Sequence, residues 1–337
     1  MQLCDDSKRL MRLMDGRRVR KPPFWEPWFG MSDFLRRRWG GTGIRERIVM
    51  SKDLGMAIVN LKGVDTNLGF GESEMTSDGV SRYSGGGLDS IEQMEERPVP
   101  DWKDQITRLK EEQRMVRESG LVSWLILPWC FHKIATSMGL TRFAVRVYRD
   151  FPFVDRAFEI VEERNRMVID QVVSAVRPDV VLFDGDCSYK HGLMVDPELF
   201  RRLVFERTRK TVSRLKRLGI PYVLHTDGKL DDVIPVLIEL GFSMVHGCES
   251  KANDLADLVE RFGDDIVLAG NMDIDFLSKA TVEEVRSETL SMLEAGSSKC
   301  RYVAACNTSP LDFIPDENYI AMAEAIKGYG GHGYCPQ

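Results

Sequence analysis

DVVLFDGD (179–186), YVLHTDG (222–228), FSMVHGCES (242–250), DIVLAGNMD (265–273) and RYVAACNTS (301–309) are five apolar runs that stop in polar residues. Each has the length of a strand buried on both faces. Each ends in Asp, His, Cys, Glu or Asn, where a strand gives way to a loop. Segments of helical spacing lie between and after them, at 197–218, 229–240, 252–262, 281–295 and 315–328. Pro197 opens the first of these at its first turn, where a missing amide hydrogen costs nothing. Strands alternating with helices predict parallel βαβ units. Polar side chains on successive strand ends are the pattern of a (β/α)8 active site.

The same alternation extends backwards, less regularly. LVSWLILPW (121–129) and MAIVNL (56–61) read as strands, and PPFWEPWFG (22–30) supplies another over 24–29. That makes eight, so the expected fold is α/β, a (β/α)8 TIM barrel forming one domain over 1–337. An open sheet with an irregular N-terminal lobe is the competing architecture. Residues 1–22 read as an N-terminal helical extension, with Leu3, Leu10, Leu13 and Met14 among charges. Residues 101–118 and 141–176 are helical in spacing. The stretch 66–90, rich in Gly, Ser, Asp and Thr, reads as a loop or loose hairpin and carries no phosphate-binding fingerprint.

The chain has 337 residues, 43% of them hydrophobic, and a net charge of −6. That balance argues against a nucleic-acid partner, which would call for a basic face. Arg36–Arg38 and the basic 214–217 run read as solvated helix faces. No stretch is long and apolar enough for a membrane span, and MQLCDDSKRLMRLMDGRR is too charged for a secretory signal, so a cytoplasmic location is expected. The seven cysteines are scattered and include no CxxC pair, which fits reduced thiols.

His225 and Asp227 stand two apart at a strand end, so both can face one mouth. Imidazole with carboxylate or thiolate suits zinc. The bland alternative for Asp227 is a helix cap, with even weight. Glu249 is a candidate ligand or base, and Cys248 a ligand or a packed thiol. Cys306 ends the last run as a ligand or a small buried hydrophobe. The expected metal set is His225, Glu249 and Cys306, with a fourth position open. Asp184, Asp186 and Asp227 are candidate acid–base groups, although an aspartate there can equally cap a helix. Trp25, Glu26, Trp28, Asn271 and Asp273 are candidate substrate contacts; for the aromatic residues, packing at the barrel base has at least equal weight. His132, His191, His246 and His332 are left outside the site.

HTDGK (225–229), LIELGF (237–242), GDDIVLAGNMD (263–273) and PDENYIAMAEAIKGYG (315–330) together resemble the uroporphyrinogen decarboxylase superfamily, from about residue 140 to 330. Its members include decarboxylases and zinc-dependent, corrinoid-linked methyltransferases on one (β/α)8 fold. The decarboxylases carry an arginine-rich element near the N-terminus that grips substrate carboxylates. This chain has KPPFWEPWFG (21–30) there, and its last strand ends in AACNTS rather than a His-bearing motif. The methyltransferase branch supplies zinc ligands as His-x-Cys and a late Cys. Here the first element is His225-Thr226-Asp227, with a carboxylate in the Cys position, while Cys306 matches the late one.

The resemblance implies a methyltransferase using Zn2+ and a corrinoid carried by a partner protein. The methyl group would move between the corrinoid and a small molecule, a methyl ether donor or a thiol acceptor. The first alternative is a metal-independent lyase of the decarboxylase kind, with Asp184, Asp186 and His225 moving protons. The second is a non-catalytic barrel that only binds a corrinoid protein.

Overall fold

Seven parallel strands follow one another around a single curled sheet, each paired with its predecessor in the chain. In this computed structural model, which describes residues 2–75, 81–333 and 335, they are β1 (Ile58–Asn60), β2 (Val122–Pro128), β3 (Val180–Asp184), β4 (Tyr222–His225), β5 (Met244–His246), β6 (Val267–Met272) and β7 (Tyr302–Cys306). Helices return the chain between them, as a parallel pair requires. Pro197–Leu218 follows β3, Ile234–Leu240 follows β4, Leu255–Phe262 follows β5, Val282–Ser297 precedes β7 and Asp316–Gly328 follows it. Their starts are legible in sequence. Asp196 caps Pro197–Leu218 by accepting from the Glu198 and Leu199 amides, and Thr281 with Glu284 forms a reciprocal capping box. The helical stretch expected over 141–176 is divided at Asp150, where Leu140–Arg149 ends and Phe151–Val168 begins with Pro152 in its first turn.

The strand expected at 24–29 does not form. Phe24 alone is paired there, with Met56 on one side and Ala304 on the other. The Trp25 amide donates to the Ala304 carbonyl, Ala304 to Pro23, and Ala57 to Phe24. Pro22, Pro23 and Pro27 lack the amide hydrogen a longer ladder needs. Of the 66–90 stretch, Gly71–Met75 and Ser81–Gly86 pair as an antiparallel hairpin.

Strand parity divides the core in two. Ile58, Val122, Trp124, Val180, Leu182, Val223, Met244, Val267, Ala269 and Val303 form an inner cluster. Their neighbours Val59, Leu125, Val181, Phe183, Leu224, Val245, Leu268, Tyr302, Ala304 and Cys306 belong to the outer cluster, which also holds the buried helix residues. The helix Asp5–Met14 adds Leu10, Leu13 and Met14 to the inner cluster. It is tied to residues just before strands: Cys4 N–H donates to Gly120, the Ser7 hydroxyl to Ala57, and Val19 N–H to Cys300. The N-terminal segment therefore covers the amino ends of the strands. Burying each such Leu or Met stabilises the fold by roughly 1.5–3 kcal/mol. Among the described residues no helix is long and apolar enough to cross a membrane.

Candidate functional site

At the carboxyl ends, register places Asp184 beside His225 and His225 beside His246. The two imidazoles are buried and their Nδ1 atoms lie 2.7 Å apart. His246 Nε2 lies 3.0 Å from the Cys306 carbonyl oxygen, which can only accept. That nitrogen therefore carries the proton. Burial lowers the His246 value well below the usual range and brings His225 down to about 4, so both rings are neutral near pH 7. Neutral His246 presents Nδ1 as an acceptor, His225 Nδ1 donates to it, and His225 Nε2 is left as a lone pair.

Asp227 Oδ1 lies 3.9 Å from that lone pair and is buried without a hydrogen-bond partner. Asp186 completes the group. One ligand atom from each of Asp186, His225 and Asp227 falls within 4.8 Å of the others. Asp186 Oδ1 accepts from the Asp227 amide at 2.9 Å, which fixes the turn after β4. Its other oxygen lies 3.5 Å from His132 Nδ1. Burial, then the nearby carboxylates of Asp186, Glu249 and Asp184, pushes Asp227 up to about 8. Burial and Asp186 push Asp184 up to about 7. Crowded carboxylates and an orphaned oxygen around a free imidazole lone pair fit a divalent cation.

Of the expected metal set, the structure brings His225 into this group and places Glu249 and Cys306 outside it. Glu249 accepts from the Gly228 amide at 3.1 Å and steadies the Asp227 turn. Cys306 shares the outer parity of Tyr302 and Ala304, so its buried thiol faces the helix layer. Glu26, one residue out of step with inward Trp25, meets it there. Glu26 Oε1 accepts from the Cys306 amide at 3.3 Å and from the Tyr319 hydroxyl at 3.2 Å.

The expected substrate contacts divide similarly. Trp25 is buried in the inner core, edge-on to Trp124 with ring centroids 5.2 Å apart, and Glu26 lies behind the sheet, so neither is placed to touch a substrate. Asp273 caps Ile274–Lys279 through the Asp275 amide and pairs with Lys251 at 2.9 Å. Asn271 is half-buried on β6. Trp28 stands edge-on to His225, centroids 4.8 Å apart, while the Trp25 ring lies 5.9 Å from that of His246. Asp184 borders a 360 Å3 cavity with Lys133, Ile126, Pro128 and the 63–69 loop. His132, His246 and Lys133 were not read from the sequence as site residues. His246 carried a signal, since it ends its apolar run in FSMVH as His225 ends YVLH.

A curled, consecutively ordered parallel sheet with polar groups at its carboxyl ends defines a TIM-like α/β protein. The chain belongs to the uroporphyrinogen decarboxylase (URO-D) family, whose model matches residues 87–329. Among solved structures it is similar to a methyltransferase from Methanosarcina mazei at 20% identity and a TM-score of 0.73, covering 96% of this chain and 98% of that one. A 3-keto-D-glucoside 4-epimerase from E. coli matches at 10% identity and a TM-score of 0.46, covering 92% and 100%. Comparison with curated proteins finds no match.

Proposed function

We propose that this chain is a zinc-dependent methyltransferase that moves a methyl group between a small molecule and a corrinoid carried by a partner protein. The observation that carries the reading is the unprotonated His225 Nε2 facing the partnerless Oδ1 of Asp227, with Asp186 alongside. The fold shared with a methyltransferase and the family membership support it. On this reading Asp186, His225 and Asp227 are the metal ligands, and the sheet closes as an eight-membered barrel with Phe24 standing in for the missing strand.

Two carboxylates and an imidazole, with no thiolate, form an oxygen-seeking set, and zinc held there would act as a Lewis acid on the oxygen of a methyl ether. This favours an ether donor over a thiol acceptor. Within the protein, His246 holds the His225 ring in the ligating tautomer. Trp28 covers one edge of that ring and limits water access. Asp184, with a value of about 7, can hold or release a proton toward the adjoining cavity.

Incubated with a reduced corrinoid protein and a methoxylated donor, the enzyme should generate methyl-cobalt absorbance. Purified protein should carry about one zinc per chain. His225→Ala and Asp227→Ala should lose both zinc and transfer, while Cys306→Ala keeps the zinc because its thiol faces the helices. Full activity of metal-free protein would refute the reading, as would porphyrinogen decarboxylation without transfer from any donor. Zinc loss on Cys306→Ala alone would refute the ligand assignment.

A further inference from the structure

The opposite end of the sheet carries a second concavity that the proposed chemistry does not use. It is an open concavity of about 820 Å3, and its lining includes Arg9, Arg12, Arg17, Arg18, Arg20 and Lys21, with no carboxylate among the described residues. Thirteen residues of a chain with a net charge of −6 thus bring six cations to one hollow. The segment is anchored by Val19 N–H to Cys300, just before β7, and by His332 N–H, beyond the last helix, to the Arg20 carbonyl.

Several of these cations are only partly neutralised. Arg9 pairs with Asp6, but its Nε is buried without a partner. Arg18 pairs with Asp264 at 2.7 Å. Arg20 and Lys21 donate to the main-chain carbonyls of His332, Gly333 and Lys327, which carry no net charge. Among the described residues Arg12 and Arg17 have no side-chain partner, and both are exposed. Burial and neighbouring Arg9 lower the Lys21 ammonium, as expected where positive charge is uncompensated.

We propose that this hollow binds a small anion carrying two or more phosphate groups. Guanidinium groups match phosphate oxygens bidentately, and several converging on one cavity suit a compact polyanion. The volume is that of a small-molecule site. A concave site of this size on an acidic protein suits neither a polymeric nucleic acid nor a bilayer.

The test is titration calorimetry of the full chain with tripolyphosphate. We expect saturable one-to-one binding that weakens with added salt. Arg12→Ala/Arg17→Ala should weaken it at least tenfold without changing the circular dichroism or the zinc content. Lys110→Ala/Arg149→Ala, which removes two exposed cations elsewhere, should bind as wild type does. Absence of saturable binding, equal loss in both double variants, or no loss in the first would overturn the proposal. Flotation with anionic phospholipid vesicles in the absence of tripolyphosphate binding would also overturn it, in favour of a membrane surface. None of these readouts depends on methyl transfer, so this site and the proposed activity fail separately.

Discussion

Replacing Glu26 with glutamine should remove a pH dependence from the folding free energy. The carboxyl is buried, and burial pushes it from 4.5 to about 8 despite its hydrogen bonds to Cys306 and Tyr319. Among the described residues Oε2 has no hydrogen-bond partner. Between those two values the folded chain holds the proton and the unfolded chain does not. Unfolding then releases a proton, and raising the pH favours the unfolded state. The contribution is fully present below pH 4.5 and is lost as pH climbs toward 8. In that window the slope is about 1.4 kcal/mol per pH unit, so from pH 5.5 to 7.5 the wild type should lose about 3 kcal/mol through this group. Glutamine keeps an acceptor for the same two donors and does not titrate. Other groups are common to both proteins and cancel in the difference. Urea unfolding followed by tryptophan fluorescence, at half-unit steps from pH 5.5 to 8.5, should show the Glu26→Gln curve gaining on wild type up to about pH 8 and then running level with it. Parallel curves would show that the carboxyl is already ionised in the fold and would refute the reasoning.

Other perturbations separate the site from its supports. If zinc binds as proposed, His246→Phe, which keeps a ring but removes the acceptor that fixes the His225 tautomer, should lower zinc affinity in chelator competition roughly 10–100-fold; unchanged affinity would dismiss the relay. Gly228→Ala adds a methyl group 2.7 Å from the Ser188 carbonyl carbon at a φ of +86°, and should destabilise by roughly 2–5 kcal/mol. A loss under about 0.5 kcal/mol would mean that the turn after β4 rearranges freely. Leu13→Ala, fully buried in the inner core, should lower stability by about 2–5 kcal/mol and leave zinc content intact, since it lies at the other end of the sheet.

From residue 179 onward the strands were legible because both-face burial leaves long apolar runs, and helix caps such as Asp196 and Thr281 punctuate them. His225 and Asp227 were legible because a polar pair ends an otherwise apolar strand. Parity was not. YVAAC can turn either set of side chains inward, since Tyr, Val, Ala and Cys all tolerate burial, and no charged residue marks a side. Cys306 was therefore assigned to the mouth although it faces the helices with Tyr302 and Ala304. The 24–29 segment misled for another reason. Its aromatic residues suit a strand, but its prolines leave only Phe24 able to pair on both sides. His246 is left outside the site in the sequence reading, since its pairing with His225 depends on a 2.7 Å contact that sequence spacing does not show.

The seam at Phe24 links fold and site in a way that neither shows alone. Three main-chain hydrogen bonds, through Trp25, Ala57 and Ala304, tie the Phe24 segment to the last strand and to residue 57, just before the first. Glu26 follows within two residues, and Trp28 within four, reaching His225. Ionising Glu26 would place an unscreened charge beside that short junction. Any loosening of the junction would draw Trp28 off the His225 ring. Alkaline conditions should therefore part Trp28 from His225 before they unfold the chain, so that the narrow Phe24 pairing governs access to the carboxyl end of the sheet.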